Sequence, residues 1–596
     1  MRSTPWLLLV ALVWSPLAAQ DPAPPPEVAI QWGVQVPMRD GVRLNATLYR
    51  PRGQAAPLPT IVTLSPYIAD TYHAWAMYHA RDGYVFAAID VRGRGNSEGE
   101  FEPFVNEGRD GHDIVEWIAR QPWSDGKVAM WGGSYGGTDQ WATIKYLPPH
   151  LTTIVPVAPA YLGVDFPFEG NVLPSYLPQW LTFTSGNAAQ GQLFADMPQW
   201  SGYMRILACE GLPFRVLDSV AGNPSPIFQK WLAHPTPDPY WDAVAPGPAE
   251  YARITQPILT ITGHYDGDQL GTLAHYRKFL AHASAEARRN IYLVMGPWDH
   301  GGTRTPRQEV NGVRFGPASM VDIRALHKDW YDWTMKGKGG RPAFLRDRVA
   351  YYVAGAHGDV WRYAPSLEAV ADERRTLYLA SDGRADDAFG GGRLATDAPP
   401  SRSATDRYRY DPRDPPPVDE GVTHPSAISF VDQSRVLTTG GNGVVYHTAP
   451  FAEETEVAGQ PTLRIWASLD VPDTDFQATL YEILPDGSSI LLTTSVLRAR
   501  YRESLRQEKL VTPGVPLEYR FESFPWFARR IAKGSRLRLF FRSPNTTELQ
   551  KNHNSGGVVA DETVRDARVA TVTIYHDREH PSALELPITR GAPPNR

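Results

Sequence analysis

The sequence predicts a mostly parallel α/β sheet covered by helices, interrupted by a helical insertion and followed by an all-β sandwich. Three observations carry that expectation. Continuous apolar runs such as Thr60 to Leu64, Tyr84 to Ile89 and Val128 to Trp131 alternate with helix-period patterns in the first half of the chain. The stretch from about residue 160 to 250 holds aromatics, prolines and helix-length patterns but no buried-strand run. Beyond residue 343 the pattern changes to short alternating runs divided by Gly, Pro, Asp and Asn turns.

The first elements are Val34 to Met38 and Val42 to Tyr49, short β-type runs joined by the turn Arg39-Asp40-Gly41. Helical patterns follow at Thr71 to Arg81 and Asn106 to Ala119, the latter with Ile114, Trp117 and Ile118 on one face. Buried-strand runs recur at Thr153 to Val157, Ile258 to Thr262 and Ile291 to Met295. A helix over Val321 to Lys336 ends before the Gly-rich linker Gly337 to Pro342. These readings divide the chain into an α/β domain (28–160 and 251–340), a helical cap (161–250) and a β-sandwich (343–590). Alternating runs in the last include Val349 to Val353, Thr462 to Ala467, Phe476 to Ile483, Arg536 to Phe541 and Val569 to Tyr575.

A chain of 596 residues is too long for one core, which fits this division. A net charge of -6 gives no basic footprint for nucleic acid and no polybasic membrane signal. Arg2, the apolar run Trp6 to Trp14 and the small residues ending Leu17-Ala18-Ala19 have the layout of a cleavable secretory signal peptide, residues 1–19. The run is shorter than the roughly 20 apolar residues of a membrane span. A secreted or periplasmic chain without a membrane anchor is therefore expected, with Asp21 to Glu27 as a proline-rich leader. Cys209 is the only cysteine, which rules out an intrachain disulfide.

The chemistry lies in Val128-Ala129-Met130-Trp131-Gly132-Gly133-Ser134-Tyr135-Gly136, an apolar strand running into G-x-S-x-G. A serine hydroxyl becomes a useful nucleophile when it is exposed, oriented and hydrogen-bonded to a base. A tight strand-to-helix turn exposes Ser134, the flanking glycines permit the turn, and the next backbone N–H, that of Tyr135, faces the developing oxyanion. The acid and histidine should follow in that order. Asp266 comes just after the strand Ile258 to Thr262, and His300 just after Ile291 to Met295. Both sit past the C-terminal ends of buried strands, where active sites of open α/β sheets gather. Asp268 is the rival acid; Asp299 adjoins His300 too closely to orient it from a separate strand, and His264 reads as a surface or packing histidine. The Gly-Arg-Gly within Asp90 to Gly99 lacks the Lys-Ser/Thr ending of a phosphate loop and reads as a turn held by Asp90 and Arg92.

With these residues placed, the chain resembles the α/β-hydrolase family of cocaine esterase, α-amino-acid ester hydrolases, glutaryl acylases and X-Pro dipeptidyl-peptidases. The likeness runs from about residue 30 to about 590. It is carried by Pro37-Met38-Arg39-Asp40-Gly41-Val42, Ser65-Pro66-Tyr67, Asp90 to Gly99, the Ser134 and Asp266 turns, and Gly296-Pro297-Trp298-Asp299-His300. Later matches are Tyr410-Asp411-Pro412, Asp432-Gln433-Ser434-Arg435, Asp473-Thr474-Asp475-Phe476 and Leu497 to Arg502. The resemblance implies an α/β-hydrolase core with a helical cap and a jelly-roll-like sandwich. It also implies that the Tyr67 hydroxyl donates to the oxyanion beside the Tyr135 N–H.

Relatives that prefer α-amino acyl groups hold the substrate ammonium with a carboxylate cluster. Asp268 matches its first member, the second falls on Gln269, and Asp165 or Glu169 of the cap entrance is the candidate third. A missing carboxylate weakens recognition of a free amine, so a broader acyl-ester hydrolase is expected, ahead of an amino-acid ester hydrolase or an X-Pro peptidase. Phe166, Phe168, Trp180 and Trp231 are candidates for the acyl pocket or for the core of the cap. Hydrolysis through an acyl-enzyme requires no metal or organic cofactor, and the expected partner is a small ester, amide or short peptide. The resemblance leaves a homo-oligomer open. A binding protein on a vestigial hydrolase scaffold is the reading from another class; the retention of Ser134, Asp266 and His300 argues against it.

Overall fold

In the computed structural model of the chain, residues 27–355, 359–388, 391–416, 429–433, 436 and 442–589 are described. The expected signal peptide, most of the leader, and Ser434 and Arg435 lie outside the described residues. The apolar runs form strands β1 (Val28–Pro37), β2 (Arg43–Pro51), β3 (Leu58–Ser65), β4 (Val85–Asp90), β5 (Ser124–Gly133), β6 (Leu151–Val157), β7 (Ile258–Tyr265) and β8 (Ile291–Asp299). They pair in the order β1-β2-β4-β3-β5-β6-β7-β8, with β4 through β8 parallel. The antiparallel β1–β2 pair sets Val36 opposite Leu44 across the Asp-Gly turn.

Successive residues of these strands feed two separate cores, which is why the runs are apolar throughout. On one face Val62, Ala87 and Met130 pack with Ile114 and Ile118 of α2 (Glu107–Ala119) and Trp141 of α3 (Tyr135–Ile144). On the other, Ile61, Phe86 and Trp131 pack with Ala76 and Ala80 of α1 (His73–Arg81) and with Leu326 and Trp330 of helix Ile323–Lys336. That last helix stops at Gly337, whose left-handed φ of 64° turns the chain into the linker.

The run Val349 to Val353, grouped by its alternation with the sandwich, pairs instead in the first sheet. As β9 (Val349–Gly355) it lies parallel to β8, with Val349 opposite Leu293, and antiparallel to β10 (Val360–Ala364). Its last residues, Ala354 and Gly355, pair with Arg529 and Arg530 of the all-β region. One strand therefore carries the hydrolase sheet into the following domain. That region is largely antiparallel around a core that includes Leu377, Ile465, Phe476, Leu539 and Val572. Two of its sequence motifs meet there: Arg498 pairs with Asp475 and Arg500 with Asp473, both at 2.8 Å, while Asn552 donates to both carboxylates.

Between β6 and β7 the chain leaves the sheet. The cap includes α4 (Tyr176–Phe183), helix Met197–Cys209 and helix Pro226–Leu232, and it rests on the C-terminal end of the sheet. The Ser175 N–H donates to the Glu548 carbonyl at 2.8 Å, so the cap is also tied to the all-β domain.

Candidate active site

Ser134 lies between the end of β5 and the start of α3, with φ 60° and ψ -124°. A non-glycine residue at positive φ is held there only by its surroundings. Here the Ser134 N–H donates to the Val157 carbonyl at 2.9 Å, and the Ser134 carbonyl accepts from Gly137 and Thr138 at 2.8 and 3.0 Å. The Tyr135 N–H belongs to the first turn of α3, where helix donors have no carbonyl four residues back. The Tyr135 ring is fixed independently: its hydroxyl donates to the buried Glu107 carboxylate and accepts from the Phe104 N–H at 2.9 Å.

Asp266 and His300 stand past the ends of the neighbouring strands β7 and β8. The His300 Nδ1 meets Asp266 Oδ1 at 2.7 Å. Asp266 also accepts from the Thr262 hydroxyl at 2.8 Å and the Asp268 N–H at 3.1 Å. Burial pushes the Asp266 carboxyl up, but the adjacent His300 and these donors outweigh it and hold the carboxyl below its ordinary value. For His300 burial pushes the other way and is also outweighed: the Asp268 and Asp266 carboxylates raise the imidazole. The rival Asp268 approaches the same Nδ1 only to 3.8 Å, too far for a hydrogen bond. Of the two acids, Asp266 is the one within hydrogen-bond reach of His300.

The loop after His300 folds back on the nucleophile turn. Arg304 occupies the space where a side chain on Gly133 would stand, its Nη1 being 2.3 Å from that position. Its charge also acts on His300 and Asp268. Nothing in the sequence marks Arg304, because the contact joins two loops.

Tyr67 follows β3, and its hydroxyl lies near enough to the Ser134 side chain for the two to interact. Its N–H donates to the Ser65 Oγ at 3.0 Å. The carbonyl of Pro66, one residue earlier, accepts from Nε of the buried Arg94 at 2.9 Å, and the same guanidinium reaches the cap carbonyls of Gly186 and Ala188. Asp90 and Arg92 hold the turn around it: Asp90 accepts from the Ala69 N–H at 2.7 Å, and Arg92 forks onto Asp110 at 2.6 and 2.8 Å.

The candidate substrate residues divide. Asp165 lies close enough to Asp268 for their charges to interact, and burial raises both carboxyls, Asp268 to about 6. Asp165 is engaged by the N–H groups of Tyr161, at 2.9 Å, and Gly271. Glu169 faces the other way, towards Ser495 and Val496 of the all-β domain; burial lifts it to about 8, and its Oε1 has no hydrogen-bond partner among the described residues. Phe168 and Trp231 are buried within the cap, Phe168 edge-on to Trp241 and Trp231 edge-on to Phe166. Phe166 and Trp180 face Phe104 and Tyr135 beside the nucleophile turn.

Comparison with known proteins shows the family and the fold. The X-Pro dipeptidyl-peptidase (S15 family) pattern matches residues 40–302, and the X-Pro dipeptidyl-peptidase C-terminal non-catalytic domain matches 343–585. Cocaine esterase of Rhodococcus sp. (strain MB1 Bresler) is 31% identical over 94% of this chain and 98% of its own. The chain belongs to the S15/cocaine-esterase family. Its fold is shared with a selenomethionine-labelled α-amino acid ester hydrolase, at TM-score 0.82 and 22% identity, covering 96% of this chain and 98% of the other. An aminopeptidase from the marine sediment archaeon Thaumarchaeota archaeon follows at TM-score 0.79 and 22% identity, with the same coverage. Like its family, the chain is a serine hydrolase with an α/β-hydrolase core and a C-terminal β domain.

Proposed function

We propose that Ser134, His300 and Asp266 form the catalytic triad of an exported hydrolase of broad acyl-ester specificity. The observation that carries this is the 2.7 Å contact between His300 Nδ1 and Asp266 Oδ1, at the same end of the parallel sheet as the strained Ser134 turn. Asp266 fixes the tautomer that leaves Nε2 as the base. The base takes the Ser134 proton while Oγ attacks the substrate carbonyl. The tetrahedral oxyanion accepts from the Tyr67 hydroxyl and the Tyr135 N–H. His300 then protonates the leaving alcohol, and water attacks the acyl-enzyme with His300 again as base.

Broad acyl preference, rather than recognition of a free α-amine, is supported by how Gln269 is used. Its Nε2 donates to the carbonyls of Gly263 and Trp526 at 2.9 and 2.8 Å, and its Oε1 accepts from the Trp526 N–H at 2.6 Å. The position is committed to joining domains and supplies no charge. Burial holds the Asp165 carboxyl well above its ordinary value, so it offers little negative charge to an ammonium. The N-terminal layout supports export, and among the described residues no helix is long and apolar enough to cross a membrane. The β domain is read as a jelly roll on the resemblance.

The test is kcat/KM across p-nitrophenyl esters, amino-acid esters, β-lactam amides and X-Pro anilides. Comparable turnover of unsubstituted acetyl, butyryl and benzoyl esters is expected. A clear preference for free α-amino acyl groups, or cleavage of X-Pro anilides alone, would overturn the specificity.

A further inference from the structure

The Tyr67 hydroxyl has a second neighbour besides Ser134. Trp180 of α4, in the cap, points its indole Nε1 at the Tyr67 oxygen at 3.1 Å. An indole N–H can only donate, and a phenol oxygen carries two lone pairs and one proton. The Trp180 N–H therefore takes up an acceptor site of the phenol and turns the Tyr67 proton away from the cap, towards the Ser134 side. Among the other buried tryptophans, Trp241 and Trp298 donate to the backbone carbonyls of His234 and Ser319, while Trp131 and Trp330 donate to the side chains of His327 and Thr153. Trp180 spends it on a side chain at the nucleophile.

Both partners are held rigidly. Tyr176, Trp180 and Phe183 are spaced i, i+4, i+7 and so share one face of α4. The Tyr67 ring stacks on Phe183 with centroids 5.3 Å apart and meets Tyr135 edge-on at 6.4 Å. Trp180 is 4% exposed and lies nearly parallel to Phe104, Tyr135 and Trp231, at 6.2, 5.9 and 6.0 Å. Burial pushes the Tyr67 phenol above its ordinary value, so it keeps its proton in the neutral range, while the bond from Trp180 acts in the opposite direction. A phenol that accepts one hydrogen bond is the stronger donor of the next.

We propose that Trp180 is a positioning residue for the oxyanion hole: its indole N–H orients and polarises the Tyr67 hydroxyl, so that the docked cap completes the catalytic site. This rests on the reading of Tyr67 as an oxyanion donor. It assigns Trp180 a role beyond the wall of an acyl pocket.

The experiment is a double-mutant cycle with p-nitrophenyl acetate and p-nitrophenyl benzoate. Trp180→Phe keeps the aromatic stack and removes the donor; kcat is expected to fall about five- to tenfold for both esters. In a Tyr67→Phe background the same change should leave kcat unaltered. Trp180→His, which restores a ring N–H, should recover part of the loss. Should Trp180→Phe fold poorly by near-UV circular dichroism, 3-benzothienylalanine introduced at position 180 by amber suppression removes only the N–H and preserves ring shape. An equal fold-loss in both Tyr67 backgrounds, or a loss confined to the benzoyl ester, would overturn the proposal and leave Trp180 as a pocket wall. If Tyr67→Phe alone leaves kcat unchanged, the oxyanion role of Tyr67 has failed first.

Discussion

Gln269 and Trp526, 257 residues apart, exchange two hydrogen bonds: the Trp526 N–H donates to Gln269 Oε1 at 2.6 Å, and Gln269 Nε2 donates to the Trp526 carbonyl at 2.8 Å. The glutamine stands one residue after Asp268, so the all-β domain braces the loop that carries Asp266. Gln269→Ala should leave buried backbone groups of Trp526 without partners, at about 1–3 kcal/mol each. Urea unfolding checks this. Gln269→Glu should be no milder, since a buried carboxylate would face the Trp526 and Gly263 carbonyls. It should not create a preference for amino-acid esters over plain esters.

Asp268 is expected to tune the base. Burial lowers the His300 imidazole, but the Asp268 and Asp266 carboxylates raise it above its ordinary value. Activity needs the neutral ring, so kcat/KM should rise with pH through that raised value. In Asp268→Asn one of the two raising charges is gone, and the acidic limb of the profile should move to lower pH. An unmoved limb would show that Asp268 does not act on His300.

Glu107 gives a stability test of the opposite sense to a surface carboxylate. Burial raises it from an ordinary 4.5 to about 7, and it accepts the Tyr135 hydroxyl. Asp139, next to it in charge interaction, is raised too. A carboxyl raised on folding favours the protonated native state, so its contribution is present below the ordinary value and lost as pH rises through the folded one. Thermal stability should fall between about pH 4.5 and 7 on that account. Glu107→Gln should make the fall shallower.

Much of the hydrolase fold was legible because buried parallel strands are apolar on both faces, so Thr60 to Leu64 or Ile258 to Thr262 admits few other readings. The order Ser134, Asp266, His300 was legible because each follows such a strand. Other features had no local signal. Val349 to Val353 alternates like a sandwich strand, yet β8 beside it lacked a partner on that side and took it. Arg304 reaches Gly133, Trp180 reaches Tyr67 and Gln269 reaches Trp526 only because the loops and cap converge, and periodicity carries nothing about such meetings. Tyr67 itself came from family likeness rather than from the residues around it.

Gly263 sets the spacing of β7 and β8, the strands that lead to Asp266 and His300. A Cβ there would lie 2.1 Å from the Trp298 carbonyl oxygen, a backbone atom of β8 that cannot swing aside. Gly263→Ala should push β7 from β8 just before Asp266 and His300. Overpacking of this kind costs about 1–3 kcal/mol, and kcat should fall further than stability does, as the Asp266–His300 contact opens.

Ser134 is proposed as the nucleophile of an acyl-transfer site. The most direct measurement of that role is fluorophosphonate labelling of the full chain, followed by peptide mass spectrometry. One adduct is expected, on the peptide containing Ser134, formed much more slowly in His300→Ala and absent from Ser134→Ala, whose esterase kcat should drop by about 10⁴-fold or more. Equal labelling of wild type and Ser134→Ala, or an adduct on another residue, would contradict it.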